Sequence, residues 1–252
     1  MSSVLATTPV STLRPLKTVA VIQSSYIPWK GYFDIIHDAD LFIFYDDVQY
    51  TKNDWRNRNL IKTSSGVVWL TVPVGKDENR RICEVRIEDP RWAVKHWKTL
   101  QMHYSRAPYF SLYKDFLQEV YLSRQWHSLS ELNQFLIANI STRFLGIDCQ
   151  FADSRDFSLT GHKQERLLDL LKKAKATHYV SGPAAQSYIR EDDFLEEGIS
   201  LRWKSYNDYP TYKQLYLPFC HTVTILDLLF NVGPDAPWHI WGHRRERPAA
   251  SP

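Results

Sequence analysis

Two adjacent carboxylates, Asp46 and Asp47, stand where an uninterrupted apolar run, residues 41–45, stops. Paired oxygen ligands at such a place can hold Mg²⁺ or Mn²⁺ on a diphosphate. One of them can equally serve as a general base toward an amine or hydroxyl. An Asp after a strand also caps the turn that follows, so the pair alone leaves these uses open. A cationic set follows at once. Lys52 offers a point charge, and Arg56 and Arg58 offer planar forks for phosphate or carboxylate. Their bland alternative is ion pairing with Asp54 or Asp47. Gln49, Trp55 and Asn57 lie among them, giving a segment crowded with amide, cation and aromatic groups.

Gln23 ends an earlier apolar run and can orient a carbonyl. Tyr26, Trp29 and Lys30 follow it and can wall off a sugar or base. Core packing suits the aromatics as well, whereas a buried amide needs partners. Ser181 and Gly182 follow a third apolar run and precede a short helical pattern. They can present backbone amides to an anion or oxyanion, or simply turn the chain. No GxSxG surrounds Ser181, so a hydrolase elbow is not supported. Asp227 and Asn231 share one face of an otherwise apolar helix, where they reach into a pocket or pair with each other. The histidines offer only one HxxxH, His239 and His243, without the Glu of a metalloprotease. No metal site is expected from them.

The elements that must position these groups read as α/β. Residues 19–23 and 41–45 are buried strands, with a short helix over 31–39 between them. This is a βαβ signature with a right-handed crossover. Residues 60–62 and 67–74 predict a hairpin with a four-residue turn, and Ile82, Val85 and Ile87 predict another short strand. From about 90 to 145 the pattern is helical, with Pro108 opening the second helix and Gly146 ending the third. A second βαβ unit follows: strands at 147–151 and 177–180 around a helix at 163–175. A strand at 199–203 and an apolar helix at 222–231 complete it. The expected fold is a single α/β domain with a mixed, mainly parallel Rossmann-like sheet and a helical layer or insertion. Residues 1–16 are expected as a disordered arm, 17–235 as the domain, and 236–252 as a flexible tail.

Composition narrows the class. Among 252 residues, 44% are hydrophobic and 23% charged, as in an ordinary globular protein. Only 9 are Gly, so a glycine-rich phosphate loop is not expected. A net charge of +3 admits anionic ligands without the concentrated basic face of a nucleic-acid binder. Cys83, Cys149 and Cys220 are far apart and odd in number, so reduced thiols are expected. No run reaches the ~20 apolar residues of a membrane span. No membrane insertion is expected, and the cytoplasm is the expected location.

Several long motifs together carry a resemblance. VIQSSYIPWKGYFDII, DDVQYTKNDWRNRNLIKT and WLTVPV, then KHWKT, APYF, YVSGPAAQSYI, YPTYKQ and TILDLLFNVG resemble the WbqC-like family of bacterial proteins, in order and over nearly all of 19–233. That family usually has Pro after the first Gln, where this chain has Ser24. His221, Thr222 and Val223 also replace small polar residues before the last helix. The resemblance implies a tailoring transferase of surface-polysaccharide (O-antigen) or natural-product biosynthesis. It implies transfer of an aminoacyl group such as glycyl, or another acyl group, to an amine of an amino sugar or specialised metabolite. The donor would be an aminoacyl-tRNA or another activated acyl compound. In that reading Asp47 or Asp46 takes the amine proton, Gln23 and Asn57 orient the acyl carbonyl, and Lys52, Arg56 and Arg58 hold a donor phosphate. No cofactor is required. Mg²⁺ enters only under the alternative, a metal-dependent glycosyl or nucleotidyl transferase using a nucleotide sugar. A non-catalytic binding subunit of a biosynthetic complex is the third reading. A closed core beside Gln23, Asp47 and Arg58 would favour it.

Overall fold

The computed structural model of the protein describes residues 15–244. The two apolar runs of the opening stretch are the centre of a sheet. β1 (Thr18–Ile22) and β2 (Leu41–Phe44) pair in parallel across α1 (Lys30–His37), with Val19 opposite Leu41 and Ile22 opposite Phe44. β3 (Arg58–Thr63) and β4 (Gly66–Thr71) form the hairpin as a separate two-stranded sheet. Its loop has two residues rather than four, because Thr63 and Gly66 still pair. β5 (Gln150–Asp153) lies beside β2. β6 (His178–Ser181) lies beside β1, and β7 (Ser200–Trp203) beside β6. The order β5-β2-β1-β6-β7 is parallel throughout, and among the described strands the antiparallel pairing is that of the hairpin.

Both faces of the three inner strands, β2, β1 and β6, are buried, which is why β1 and β2 read as continuous apolar runs rather than alternating ones. Ala20, Phe42, Phe44 and Val180 face one core, and Val19, Val21, Ile43 and Tyr179 face the other. The first and larger core is covered by α1, then α2 (Arg91–Tyr104), α3 (Phe110–Gln118) and α4 (Leu129–Asn139). The second is covered by α5 (Lys163–Lys173) and α6 (Glu191–Glu196), and α7 (Ile225–Val232) returns to the first. The helical layer thus lies inside the connection from β2 to β5. The strand order reverses between β1 and β6, and in such sheets the crevice outside that switch point receives ligands.

Some local expectations are corrected. Ile82 and Val85 do not form a strand. A 3₁₀ turn at Ile82–Glu84 places residues three apart on one side, so both are buried. α3 opens at Phe110, not at Pro108, because Tyr109 (φ −114°, ψ 11°) lies outside the helical region and its amide bonds Phe230 O. β5 begins three residues later than expected, since Ile147 and Cys149 pack into the helical layer. Residues 236–244 belong to the fold rather than to a flexible tail. Ala236 and Ile240 have no exposed surface, Trp241 stacks on His37 at 4.1 Å, and Arg244 bonds Asp34. Residues 1–14 and 245–252 lie outside the described residues. Among the described residues no helix is long and apolar enough to cross a membrane.

Tyr26 is a core residue, not a ligand wall. It has no exposed surface, and its hydroxyl bonds His96 Nδ1 at 2.8 Å and the Tyr121 hydroxyl at 2.7 Å. Burial lowers the His96 pKa to about 4 against a partly opposing hydrogen bond to the Thr71 backbone. A depressed histidine favours the fold while neutral. Its contribution is therefore complete above the unfolded value near 6.5 and is lost as pH falls toward 4. Between pH 7 and pH 5 the wild type is expected to lose about 2 kcal/mol of stability that a His96→Asn variant does not lose. Denaturant titrations at both pH values check this, and parallel behaviour of the two proteins would contradict it.

Candidate active site

A cavity of about 1020 Å³ opens at the carboxyl ends of β1, β2 and β6, on the face covered by α5 and α6. It lies at the reversal of the sheet. Val21, Gln23 and Tyr179 reach it from β1 and β6, and Tyr45, Asp47 and Gln49 from the segment after β2. The opposite wall is the start of α5, His162 to Arg166, with Ile189 and Arg190 beyond.

Of the two adjacent carboxylates, Asp47 is the one that faces this space, and Asp193 lines it from α6. Its Oδ2 accepts from Arg166 Nη2 at 2.5 Å and its Oδ1 from Ser154 Oγ at 2.5 Å. Arg166 also donates to the Tyr45 hydroxyl at 3.0 Å. Burial pushes the Asp47 carboxyl upward. The hydrogen bonds from Arg166 and Ser154 and the Arg166 charge outweigh it and hold the group below its ordinary value. Asp47 is thus a fixed anion at neutral pH. Arg81, Lys163 and Arg190 add cations around the same space, with Arg190 only 3.6 Å from Asp193. Gly161 (φ +78°) and Lys163 (φ +50°) bring the chain into α5 through left-handed backbone, which is unfavourable for a lysine and marks this entrance as constrained. The first amides of an eleven-residue helix then open beside the cavity.

Asp46 does something different. It has no exposed surface. It accepts from the Ser24 amide at 2.7 Å, from Ser130 Oγ, and from Gln134 Nε2 at 3.2 Å. Successive side chains at a strand end point to opposite sides, so the two carboxylates do not converge on one ion. Asp46 is corrected from a candidate catalyst to a structural anchor.

The cationic set also divides. Lys52 is an exposed partner of Glu78 at 3.6 Å. Arg58 lies 4.2 Å from the Trp69 ring centre and donates to Asn53 O. Arg56 lines a second cavity, of about 430 Å³, together with Trp29 and Trp55. It donates to Gln23 O at 3.2 Å and Ser25 Oγ at 2.7 Å. Asn57 is buried, and its Nδ2 holds Val72 O at 2.9 Å in the hairpin rather than a substrate carbonyl. Gln49 stays at the first cavity and donates to Glu78 O. Lys30 is buried against Tyr209, 4.7 Å from its ring centre, and burial lowers its pKa to about 8 against the opposing charge of Asp34.

Ser181 is buried, with its Oγ accepting from Tyr179 at 3.3 Å, and a 3₁₀ turn (Pro183–Ser187) follows Gly182 instead of an α-helix. Asp227 and Asn231 do not close the Asp47 cavity. Asp227 accepts from Tyr104 at 2.8 Å, Tyr212 at 2.7 Å and Gln214 at 2.8 Å, and burial raises its pKa against those bonds. Asn231 donates to the Asp227 carbonyl at 2.7 Å. Among the described residues, the one group of metal-ligand type is Asp34, His37 and Asp38. Lys204 lies 2.7 Å from Asp34 and 2.8 Å from Asp38, and Arg244 takes the rest of Asp34, so a cation is already there.

Sequence reasoning missed Arg166, Lys163, Arg190 and Tyr45. The available signal was topological. The second βαβ unit enters the opposite face of the sheet, which brings the start of its helix to the reversal next to Asp47.

The profile of the WbqC-like protein family matches residues 23–238. The chain belongs to this family. It is 49% identical over 224 residues to a protein of Mycobacterium tuberculosis (strain ATCC 25618 / H37Rv), "Uncharacterized protein Rv1507c", covering 88% of this chain and 96% of that relative. No solved structure matches.

The Asp47–Arg166 pair gives a stability test. A depressed carboxylate contributes above its unfolded pKa near 3.9, and the contribution disappears as pH falls through the folded value. Asp47→Asn is expected to cost about 1–3 kcal/mol at pH 7 and pH 5 alike. The deficit relative to wild type should shrink below pH 4. A deficit that stays constant down to pH 3 in equilibrium unfolding would contradict the pairing.

Proposed function

We propose that this WbqC-like protein is a tailoring transferase. It moves an aminoacyl or acyl group from an activated, phosphate-bearing donor to an amine of an amino sugar or specialised metabolite, forming an amide. The observation that carries this reading is the cation-rimmed cavity at the sheet reversal, with Asp47 as its fixed anion. Arg190, Lys163 and Arg81, with the first amides of α5, suit a donor phosphate. This set replaces Lys52, Arg56 and Arg58 in that role. Gln23, whose carbonyl is held by Tyr32 at 3.0 Å and by Arg56, offers its amide to the acyl carbonyl. The new C–N bond forms as the bond from the acyl carbon to the donor oxygen breaks. The proton leaving nitrogen ends on the departing oxygen. Asp47, held ionised, stabilises the amine as positive charge develops and accepts its proton on the way. The biosynthetic setting, a surface polysaccharide or a natural product, and the aminoacyl-tRNA donor rest on the family resemblance.

A nucleotide-dependent glycosyl or nucleotidyl transferase is the second reading. It is favoured by the cavity's position, where doubly wound sheets take nucleotides. It is weakened by Asp46, whose oxygens are engaged inside the protein. A non-catalytic subunit has less support, because a concave site does adjoin Gln23 and Asp47, although not Arg58.

Charged tRNA or a synthetic activated aminoacyl phosphate, incubated with amino sugars, is expected to give an amide detectable by mass spectrometry. Asp47→Asn should lower kcat about 100-fold, and Arg190→Ala should raise KM for the donor. Donor consumption unchanged in Asp47→Asn would remove the assigned role. Calorimetric binding of UDP that requires Mn²⁺, without amide formation from any donor, would favour the second reading.

A further inference from the structure

The end of β1 separates two cavities. Val21 and Gln23 reach the larger one, and Ile22 and Ser25 reach the smaller. Arg56 stands in the partition. It lines the smaller cavity while donating to the carbonyl of Gln23 and, at 3.4 Å, to its Oε1.

The smaller cavity has its own chemistry. Trp29 and Tyr206 meet edge to face, 5.0 Å apart and 75° between planes. Trp55 continues the aromatic wall to the surface, where it leans on Trp69 at 5.3 Å. Polar groups lie among these rings and are fixed beforehand. Arg56 holds Ser25 Oγ at 2.7 Å, and the Asn59 amide is anchored on the carbonyls of Tyr26 and Ile27 at 3.1 and 2.8 Å. The Tyr206 hydroxyl has no hydrogen-bond partner among the described residues. A Cβ on Gly182 would stand 3.1 Å from it, so a bare backbone lets this hydroxyl lie where it does.

A volume of about 430 Å³ is in the range of small-molecule sites, roughly 300–1,000 Å³. Perpendicular aromatic walls do not form a slot for a flat base. They suit a puckered ring with an apolar C–H face, whose hydroxyls meet the polar groups beside it. We propose that the smaller cavity is a monosaccharide site, which takes a hexose or amino hexose ring through Trp29, Tyr206 and Trp55. Its role as the acceptor site, with the amine directed past Gln23 toward Asp47, rests on the transferase reading above. Ring binding itself does not.

Saturation-transfer NMR with methyl glucoside, methyl galactoside, glucosamine and galactosamine at millimolar concentration tests this. Ring-proton saturation is expected with at least one of them. Ala184→Trp changes an exposed residue of the cavity wall and should abolish the signal. Tyr206→Phe keeps the ring, removes the free hydroxyl, and should weaken binding about fivefold. Absence of saturation with all four sugars overturns the proposal. So does saturation that persists in both variants, or displacement of the sugar by indole together with no effect of Tyr206→Phe, which would mark a purely apolar cavity. Sugar binding without any amide product leaves the site standing and removes the transferase reading. Amide formation undiminished in Ala184→Trp keeps the transferase and removes this cavity as its acceptor site.

Discussion

A buried carboxylate is costly unless every oxygen is answered, and Asp46 is answered from three directions. The Ser24 amide comes from the exit of β1, and Ser130 and Gln134 come from α4. Its own carbonyl accepts the Cys83 amide at 2.8 Å, tying in the 3₁₀ turn. One side chain therefore joins the two central strands to the helical layer at the place where the cavities begin. The Ser24 bond to Asp46 needs a backbone N–H at position 24, which a proline there could not give.

This anchoring explains how neighbouring residues serve unlike environments. Asp46 is fixed inward, so Asp47 is turned toward Arg166 and the larger cavity. In the same way Gln23 and Ser25 diverge around Ser24, one to each cavity. Arg56 then braces the diverging loop through backbone carbonyls rather than by waiting for a ligand. The positive character of the larger site comes from elsewhere, from Arg81, from α5 and from the segment before α6.

The parts of this arrangement that were legible in the sequence are those set by local pattern. Residues 19–22 and 41–44 could hardly be anything but strands buried on both faces, and the apolar spacing of 129–145 announced α4. Gln23 and Asp47 were legible as cavity residues because strand ends in such sheets meet ligands. The convergence of Lys52, Arg56 and Arg58 was not real, because proximity in sequence says nothing of which partner each side chain takes. Trp69, Glu78 and the Gln23 carbonyl claim them separately. Asp227 misled for a related reason. A polar pair on an apolar helix face signals buried satisfaction as readily as a site, and here Tyr104, Tyr212 and Gln214 supply it. Arg166 escaped notice because its partner lies far off in the chain and only the topology brings them together.

The topology also sets an order on how the molecule can be made. β1 is the middle strand of the sheet, yet Thr18 pairs with His178 and Ala20 with Val180. One edge of the first strand synthesised stays open until the ribosome has passed residue 181, roughly 10 to 30 s later at ordinary elongation rates. Until then the nascent chain can build α1, β2, the hairpin and the helical layer on one face only, and the other face of β1 and β2 is uncovered. An exposed apolar strand edge invites pairing with other chains, and long-range parallel pairing is slow to form. The strand that leads to Gln23 thus has its second edge sealed only by the second half of the chain. Its cavities come into existence together, when the second half of the chain closes over it.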